Sequence, residues 1–590
     1  MSTPTPFINF VYVIEKRTVF HFYGTFCFIG VLDERCGGCY NLTMNIKQQL
    51  RDKITKTVIT LWPEMKEQLF EVEINYPPDV KFGDYTSSLA MKLALLLHQS
   101  PFDIAERVRQ SIKLGSMFSK IEVIKPGFLN FYLSEKWLAT QIIGIFQAKK
   151  NFGRGDEGQG RKAQVEFVSA NPTGPITMGN GRGGFGGDVL ANVLSLAGYK
   201  VQREYYVNDV GNQVKILAES VLRRYWQHQG IKMEYPDYCY QGEYIDQLAS
   251  ELYLPNYKLN KNQKLDDIKD KIKGRILQKM ISNSKKFLKK KLGIKYDKWF
   301  FESTLYSSGQ VDRILKVLKE KGLLYKSEGA IWLKTRQFGD EKDRVLVKAN
   351  EEPVYFLSDI AYHWNKFVTR KFDKVVDIWG ADHHGYVSRM KAAMKVFSLD
   401  KKLDIIITQM VRLMAKGQEV KMSKRAGTFI TLEELVDEVG VDAARFFFLM
   451  YDFNTHMDFD LDLAKKKSQD NPVFYVQYAH ARICSIIKKT KGLHRANSDK
   501  RAILDKSERA LIVSLCRWPE LVLEVAKSYQ VHRLPQYAID LATQFHNFYT
   551  RCRVINGQLV NERRLQLVLA TQIVLQNVLS AMGVNAPEKM

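Results

Sequence analysis

Two runs of the chain combine residue type and spacing in a way that points to phosphate chemistry. The first is Gly179-Asn180-Gly181-Arg182-Gly183-Gly184-Phe185-Gly186-Gly187. It satisfies GxGxxG twice and precedes a helical pattern, so a phosphate could sit at that helix's N-terminus. Glu204 lies twenty residues beyond Gly184, near the offset of an acid that binds a ribose hydroxyl. Two features argue against a dinucleotide fold. Residues 169–178 separate the glycines from the preceding strand, and Glu204 falls inside a strand rather than at its end. What survives is a phosphate-binding helix start. The second run is Lys421-Met422-Ser423-Lys424-Arg425-Ala426-Gly427. Two lysines three residues apart on a loop can reach triphosphate oxygens and stabilise charge that grows during nucleotidyl transfer. An ordinary basic surface loop gives the same pattern, and the run alone does not choose between them.

The elements that would position these residues read as several domains. At 590 residues, with 45% hydrophobic and 26% charged residues, three or four domains are expected, and neither disorder nor low complexity fits. The net charge of +24 favours a polyanionic partner, nucleic acid or an anionic surface. Seven Cys make no disulfide framework, and Cys36-Gly37-Gly38-Cys39 lacks a second pair at zinc-site spacing. Residues 19–32 are apolar but too short to span a bilayer, and they lack the basic start and small-residue cleavage site of a secretory signal. The expectation is a soluble, cytoplasmic protein without membrane association.

Residues 1–43 do not resemble the rest of the chain and read as an extension, or as a start assigned upstream of Met44. Met44 opens a helical pattern (Ile46, Leu50, Ile54, Val58, Leu61). Between 70 and 133 the pattern predicts a small α/β unit: a strand at 71–74, a helix at 88–97, and a hairpin of 121–124 with 128–132 around Pro126-Gly127. A Gly-rich linker at 152–160 precedes a strand at 165–168. Next comes a helix whose apolar face is Val189, Leu190, Val193, Leu194 and Ala197, ended by Gly198, and then a strand at 201–207. This alternation opens a doubly wound parallel sheet. Residues 255–298 form a Lys-rich helical insertion (Lys285, Lys286, Lys289, Lys290, Lys291), either a solvated face or a nucleic-acid contact. From Pro472 onward the chain reads almost wholly as amphipathic helix.

Taken together, the two runs resemble the two signatures of class I aminoacyl-tRNA synthetases: residues 166–188 are similar to the first, and Lys421-Met422-Ser423-Lys424 matches KMSK without a mismatch. Within the class they resemble the arginyl-tRNA synthetase family, bacterial type. Further segments agree in order, among them Lys81-Phe82-Gly83-Asp84-Tyr85, Tyr206-Val207-Asn208-Asp209-Val210-Gly211-Asn212-Gln213, Tyr355-Phe356-Leu357-Ser358-Asp359 and Trp379-Gly380-Ala381-Asp382-His383-His384-Gly385-Tyr386. The resemblance covers roughly 44–590. It implies a multidomain α/β chain with a Rossmann-like catalytic sheet (160–465, helical insertion about 228–300). An N-terminal α/β tRNA-contacting domain (44–150) precedes that sheet, and a C-terminal all-α anticodon-binding bundle (466–590) follows it.

The implied reaction forms arginyl-adenylate from ATP and L-arginine, then transfers the arginyl group to the terminal adenosine of arginine tRNA. Mg²⁺ accompanies ATP, no protein-ligated metal is expected, and the expected state is a monomer. The guanidinium is a planar fork that wants carboxylates, and the resemblance places Glu166, Ser169, Asn171, Tyr355 and Asp359 around arginine. It places Pro175, Gly179, Gly181, Gly380, Asp382, His383, Met422 and Ser423 around ATP. Asn180, Thr177, Lys421 and Lys424 would act on the transferring phosphate, and Tyr478 and Arg482 on tRNA. Asn208, Asp209 and Gln213 match family positions without an assigned role. The departure is at the first signature: its two usual His are Thr177 and Asn180, and no His occurs between His98 and His228. That departure keeps a catalytically decayed tRNA-binding relative as a rival, beside a nicotinamide enzyme using the GxGxxG run and a synthetase for another amino acid.

Overall fold

The computed structural model describes residues 45–590 except 69, 253–264, 421–430 and 497–503. The extension 1–43 and the KMSK lysines, Lys421 and Lys424, with Met422 and Ser423, lie outside the described residues.

The N-terminal unit begins with α1 (Ile46–Leu61), whose buried Ile46, Leu50, Ile54 and Val58 follow the helical period read from the sequence. It continues with β1 (Tyr85–Ser87), α2 (Leu89–Leu97), α3 (Pro101–Ser111), β2 (Phe118–Ile124), β3 (Phe128–Leu133) and α4 (Glu135–Ala148), the strands forming an antiparallel sheet in the order β1-β3-β2. Residues 71–74 are not a ladder strand. The chain there is extended and pairs only through the bridge Asn75–Thr86, because β1 offers just three residues at that edge. This unit is fastened to the C-terminal helices by buried polar contacts. Glu520 accepts from the Lys47 backbone N–H (2.8 Å), the Tyr76 hydroxyl (2.7 Å) and the Tyr85 hydroxyl (3.1 Å). Arg509 grips Asp84 with both Nη atoms at 2.9 and 2.6 Å. The residues read as a free linker at 152–160 are instead pinned. Gly155, Gly158 and Gly160 donate to the backbone at Leu196, Ala197 and Gly198, and a Cβ on Gly153 would lie 2.0 Å from Trp518.

The catalytic unit is built on five parallel strands: β4 (Lys162–Glu166), β5 (Lys200–Val207), β6 (Lys298–Phe301), β10 (Lys374–Gly380) and β11 (Leu403–Thr408), in the order β11-β10-β4-β5-β6. The first strand ends at Glu166, not at 168. Val168 (φ 68°) and Ser169 (φ 38°) turn left-handed, which takes the chain off the sheet and into the loop above it. Between β6 and β10 run α9 (Ser303–Ser307), α10 (Gln310–Glu320), an antiparallel three-stranded sheet of β7 (Leu324–Ser327), β8 (Ala330–Leu333) and β9 (Arg344–Val347), and α11 (Tyr355–Trp364). α6 (Asn212–His228) leads into the insertion read at about 228–300, which contains α7 (Glu243–Ser250) and the Lys-rich α8 (Leu265–Lys290). From these three helices Leu217, Val221, Trp226, Ile245, Ile268 and Ile272 make a small core of their own.

The glycine run is not a loop ahead of a helix. It is the first turns of α5 (Met178–Leu196), with Gly181, Gly183, Gly184, Gly186 and Gly187 buried inside it. A Cβ at Gly186 would come within 2.3 Å of the Phe453 ring, and one at Gly187 within 2.4 Å of Phe167. The glycines bring the helix close to its neighbours, which is why they outnumber what one phosphate would need.

The C-terminal unit is helical from Pro472–Lys489 to Glu562–Met582, as its periodicity predicts, and also carries a three-stranded sheet (His494–Ala496, Ile555–Asn556, Leu559–Asn561). Glu562–Met582 is the one helix among the described residues long and apolar enough to cross a membrane. Its Leu565, Val568, Val574, Leu575, Val578 and Leu579 are buried within the bundle.

Candidate active site

A cavity of about 1450 Å³ opens at the carboxyl ends of the parallel strands, where open α/β sheets bind ligands. Pockets for a single drug-sized ligand run to roughly 1,000 Å³, so this one has room for more than one substrate. Four of the five strands contribute residues around their ends: β4 Glu166 and Ser169, β5 Tyr206 and Asn208, β6 Glu302, and β10 Trp379 and Gly380. α11 supplies Tyr355, Asp359, Tyr362 and His363. The four-residue spacing of Tyr355 and Asp359 does place both on the face turned to the cavity.

At one end the charge is negative and unmatched. Glu302 is 1% exposed and, like Asp359, has no basic partner within 4 Å among the described residues. Burial, then the charge of Asp359, pushes Glu302 up to about 7. Asp359 is also raised by burial, although the Tyr386 hydroxyl donates to its Oδ2 and opposes that rise. Ser358 Oγ reaches Glu302 Oε1 at 3.4 Å. With its amide oriented to satisfy its surroundings, Asn208 donates to Glu302 Oε2 at 3.2 Å. A buried carboxylate without a cation is costly, so this pair awaits a cationic ligand. Glu302 was not singled out by sequence reasoning. The only signal for it is its place immediately after a short strand.

Glu166, which the resemblance placed around arginine, lines the cavity, and its carboxylate has partners of its own. Oε2 accepts from Lys366 Nζ (2.6 Å) and the Tyr362 hydroxyl (2.8 Å), and Oε1 from Ser169 Oγ (3.0 Å). Glu204, the suspected ribose acid, is fully buried and held by the Arg370 guanidinium and the Tyr362 hydroxyl, out of reach of any ribose. Asp209 caps α9, accepting from Ser303 N (2.9 Å) and Ser303 Oγ (2.6 Å), while Gln213 and Asn171 line the cavity.

At the other end lies the start of α5. Thr177 and Asn180, which replace the usual His pair, are bonded to each other. The Thr177 backbone N–H and hydroxyl both donate to Asn180 Oδ1, at 3.1 and 3.0 Å. Fixing the amide oxygen leaves Nδ2 without a partner among the described residues, beside the helix N-terminus, where the aligned backbone dipoles favour anions. Pro175, Thr177 and Asn180 line the cavity; Gly179 and Gly181 do not. Gly179 is exposed, and Gly181 is buried against Leu432 and Phe448, whose atoms would lie 2.9 Å from a Cβ. The residues that flank 421–430 are held to the rest of the fold. Val420 N donates to Leu413 O (2.8 Å), Thr431 bridges Thr177, and Leu432 N donates to Ile176 O (3.0 Å).

Gly380 ends β10 and Asp382 and His383 follow it at the cavity edge, with His383 Nδ1 3.2 Å from Asp382 Oδ1. Tyr478 and Arg482 belong to the C-terminal bundle. The Arg482 guanidinium sits 5.5 Å from the Tyr478 ring and 4.9 Å from that of Tyr549, and Phe474 stacks on Tyr478 at 6.4 Å. Among the described residues no group of three or more His, Cys, Asp or Glu is placed to hold a metal.

Three family descriptions match the chain in order: "Arginyl tRNA synthetase N terminal domain" over residues 44–133, "tRNA synthetases class I (R), catalytic domain" over 141–452, and "DALR anticodon binding domain" over 476–590. It is 43% identical to an arginine–tRNA ligase of Caldanaerobacter subterraneus subsp. tengcongensis, covering 92% of this chain and 100% of that one. It is likewise 43% identical to that of Thermotoga maritima, covering 92% and 99%. Among solved structures, a putative arginyl-tRNA synthetase of Campylobacter jejuni aligns at 34% identity and TM-score 0.69, over 78% of this chain and all of the other. The arginyl-tRNA synthetase of Thermus thermophilus shares the fold, at 21% identity and TM-score 0.73, over 92% of this chain and all of that one. The parallel sheet, the cavity at its carboxyl edge and these matches over nearly the whole described chain converge on one conclusion: the chain belongs to the arginyl-tRNA synthetase family.

Proposed function

We propose that this chain is an active arginine–tRNA ligase whose cavity holds arginine at the Glu302–Asp359 end and ATP along the α5 start and the Gly380–His383 edge. The observation that carries the reading is the carboxylate pair of buried Glu302 and half-buried Asp359, with no basic partner within 4 Å among the described residues. A guanidinium is the planar cation that two such groups can share, and lysine's point charge fits that fork less well. Tyr355, 62% exposed, supplies a ring and hydroxyl beside them. Gly380 and Asp382 take the ribose, with His383 beside the adenylate, and Asn180 Nδ2, the helix N-terminus, Lys421 and Lys424 take the triphosphate.

The arginine carboxylate attacks the α-phosphorus in line as the bond to pyrophosphate breaks. A ribose hydroxyl of the tRNA's terminal adenosine then attacks the activated carbonyl, releasing AMP. Neither step needs a protein nucleophile, since positioning and stabilisation of the growing oxygen charge suffice. Mg²⁺ enters with the triphosphate. Tyr478 and Arg482, with Phe474 and Tyr549 beside them, form an aromatic and cationic ledge suited to unstacked anticodon bases.

The test is arginine-dependent exchange of labelled pyrophosphate into ATP, with bulk tRNA present. Exchange that requires arginine supports the reading. No exchange with any amino acid would support a decayed tRNA-binding relative, and exchange driven by another amino acid would misplace the substrate.

A further inference from the structure

Three carboxylates lie side by side in one register row of the sheet. Asp377 on β10 pairs with Glu166 on β4, and Glu166 with Glu204 on β5. All three are buried, and the basic side chains that face them come from α11 and the turn that follows it. Residues 365–369 form a π-helical turn (Asn365–Thr369), a wider spacing that often marks functional sites. It sets Lys366, 0% exposed, between two of the acids, at 2.6 Å from Glu166 Oε2 and 2.7 Å from Asp377 Oδ1. Arg370 takes Glu204 with both Nη atoms. His363 has Asp377 Oδ2 at 2.7 Å from Nε2 and the Asp359 carbonyl at 2.8 Å from Nδ1.

From this row a chain of contacts leads up into the cavity. Glu166 Oε1 accepts from Ser169 Oγ, and Ser169 Oγ accepts from the Tyr206 backbone N–H at 3.0 Å. Ser169 and its neighbour Val168 are the two left-handed residues at the end of β4. For a β-branched residue such as Val168 that conformation is a true outlier, and it persists only where surrounding contacts over-determine it.

We propose that Lys366 is a positioning residue for the reaction: by neutralising Glu166 it holds the strained Val168–Ser169 turn, and so the wall that presents Ser169 and Asn171 to the amino acid. The inference rests on the arginine–tRNA ligase reading above. It makes Glu166 a bracket rather than a ligand of the guanidinium, which leaves recognition to Glu302 and Asp359. Without Lys366 the Glu166 carboxylate has no cation, so it turns toward cavity water and releases Ser169. Gln at 166 would carry no charge to neutralise and would still accept from Ser169 through its amide oxygen.

The experiment compares wild type, Lys366→Met, Glu166→Gln and the double variant as full-length protein with tRNA, measuring kcat and KM for arginine, KM for ATP, and thermal unfolding. Lys366→Met is expected to lose about 10²-fold in kcat/KM for arginine, the scale of a misplaced reactant, with ATP KM changed less than about threefold. The double variant is expected to regain at least about tenfold of that loss. If Lys366→Met does not fold, a folded double variant within about tenfold of Glu166→Gln supports the inference. Four results would overturn it: a Lys366→Met enzyme like wild type, a double variant no better than the single one, arginine and ATP KM rising together, or a double variant that does not fold. A wild-type protein that charges no arginine would instead overturn the ligase reading itself.

Discussion

Arginine binding should strengthen as pH rises through neutrality, and Glu302 should be the reason. Burial, and next the charge of Asp359, push this carboxyl up to about 7. A guanidinium binds the ionised form and pulls the pKa back down, so binding releases a proton. With a pKa near 7, about one carboxyl in eleven is ionised at pH 6 and about ten in eleven at pH 8. Apparent affinity scales with that competent fraction, so arginine should bind about tenfold more weakly at pH 6 than at pH 8. The same arithmetic gives release of about half a proton per arginine at pH 7. Asp359, raised in the same direction by burial, adds to the trend at its acid end. Calorimetric titration with arginine, in the presence of tRNA and in buffers of different ionisation enthalpy, measures both quantities. Glu302→Gln should flatten the pH dependence and weaken binding by about 1.5–3 kcal/mol, one charge-assisted contact. An affinity that is flat from pH 6 to 8 in the wild type, or a slope that survives unchanged in Glu302→Gln, would refute the assignment.

Other outcomes rest on the same geometry. Asp359→Asn should raise arginine KM by at least about tenfold while ATP KM stays within about threefold; equal effects on both would mean the two ends of the cavity have been exchanged. In single-turnover adenylate formation, Asn180→Ala and Lys424→Ala should each slow the step by about 10²–10³, the loss of one preorganised donor. Thr177→Ala should cost clearly less, because the backbone N–H of residue 177 still holds Asn180 Oδ1; a Thr177→Ala enzyme slower than the other two would reverse these roles. Binding of tRNA should weaken steeply as salt is raised, since a chain of net charge +24 meets a polyanion mainly through phosphates. A flat salt response would leave that charge unexplained.

Local pattern carries some parts of this structure and cannot carry others. The helix at 46–61, the hairpin around Gly127 and the C-terminal bundle follow from apolar period and turn residues, which need no knowledge of the partner element. Tyr355 and Asp359 share a face because a helix makes fourth neighbours adjacent. Glu302 and Lys366 were invisible for the opposite reason. A Lys three residues past a His in a helical stretch reads as solvated surface, since lysines are rarely fully buried. Only the π-turn and the register of two separate strands reveal that it faces Glu166 and Asp377. The glycine run was legible as a special place but not for its main reason. Its contacts with Phe453 and Phe167 are long-range, and no spacing rule announces them. The strand expected at 71–74 failed because β-propensity cannot tell whether a neighbouring edge is long enough to pair with.

The central claim is that this cavity, with Thr177 and Asn180 in place of the usual His pair, makes arginyl-tRNA. Aminoacylation of bulk tRNA with each of the twenty amino acids in turn, read as acid-precipitable label, tests it most directly. The account predicts label from arginine alone, dependent on ATP; no label from any amino acid, or label from another one, would contradict it.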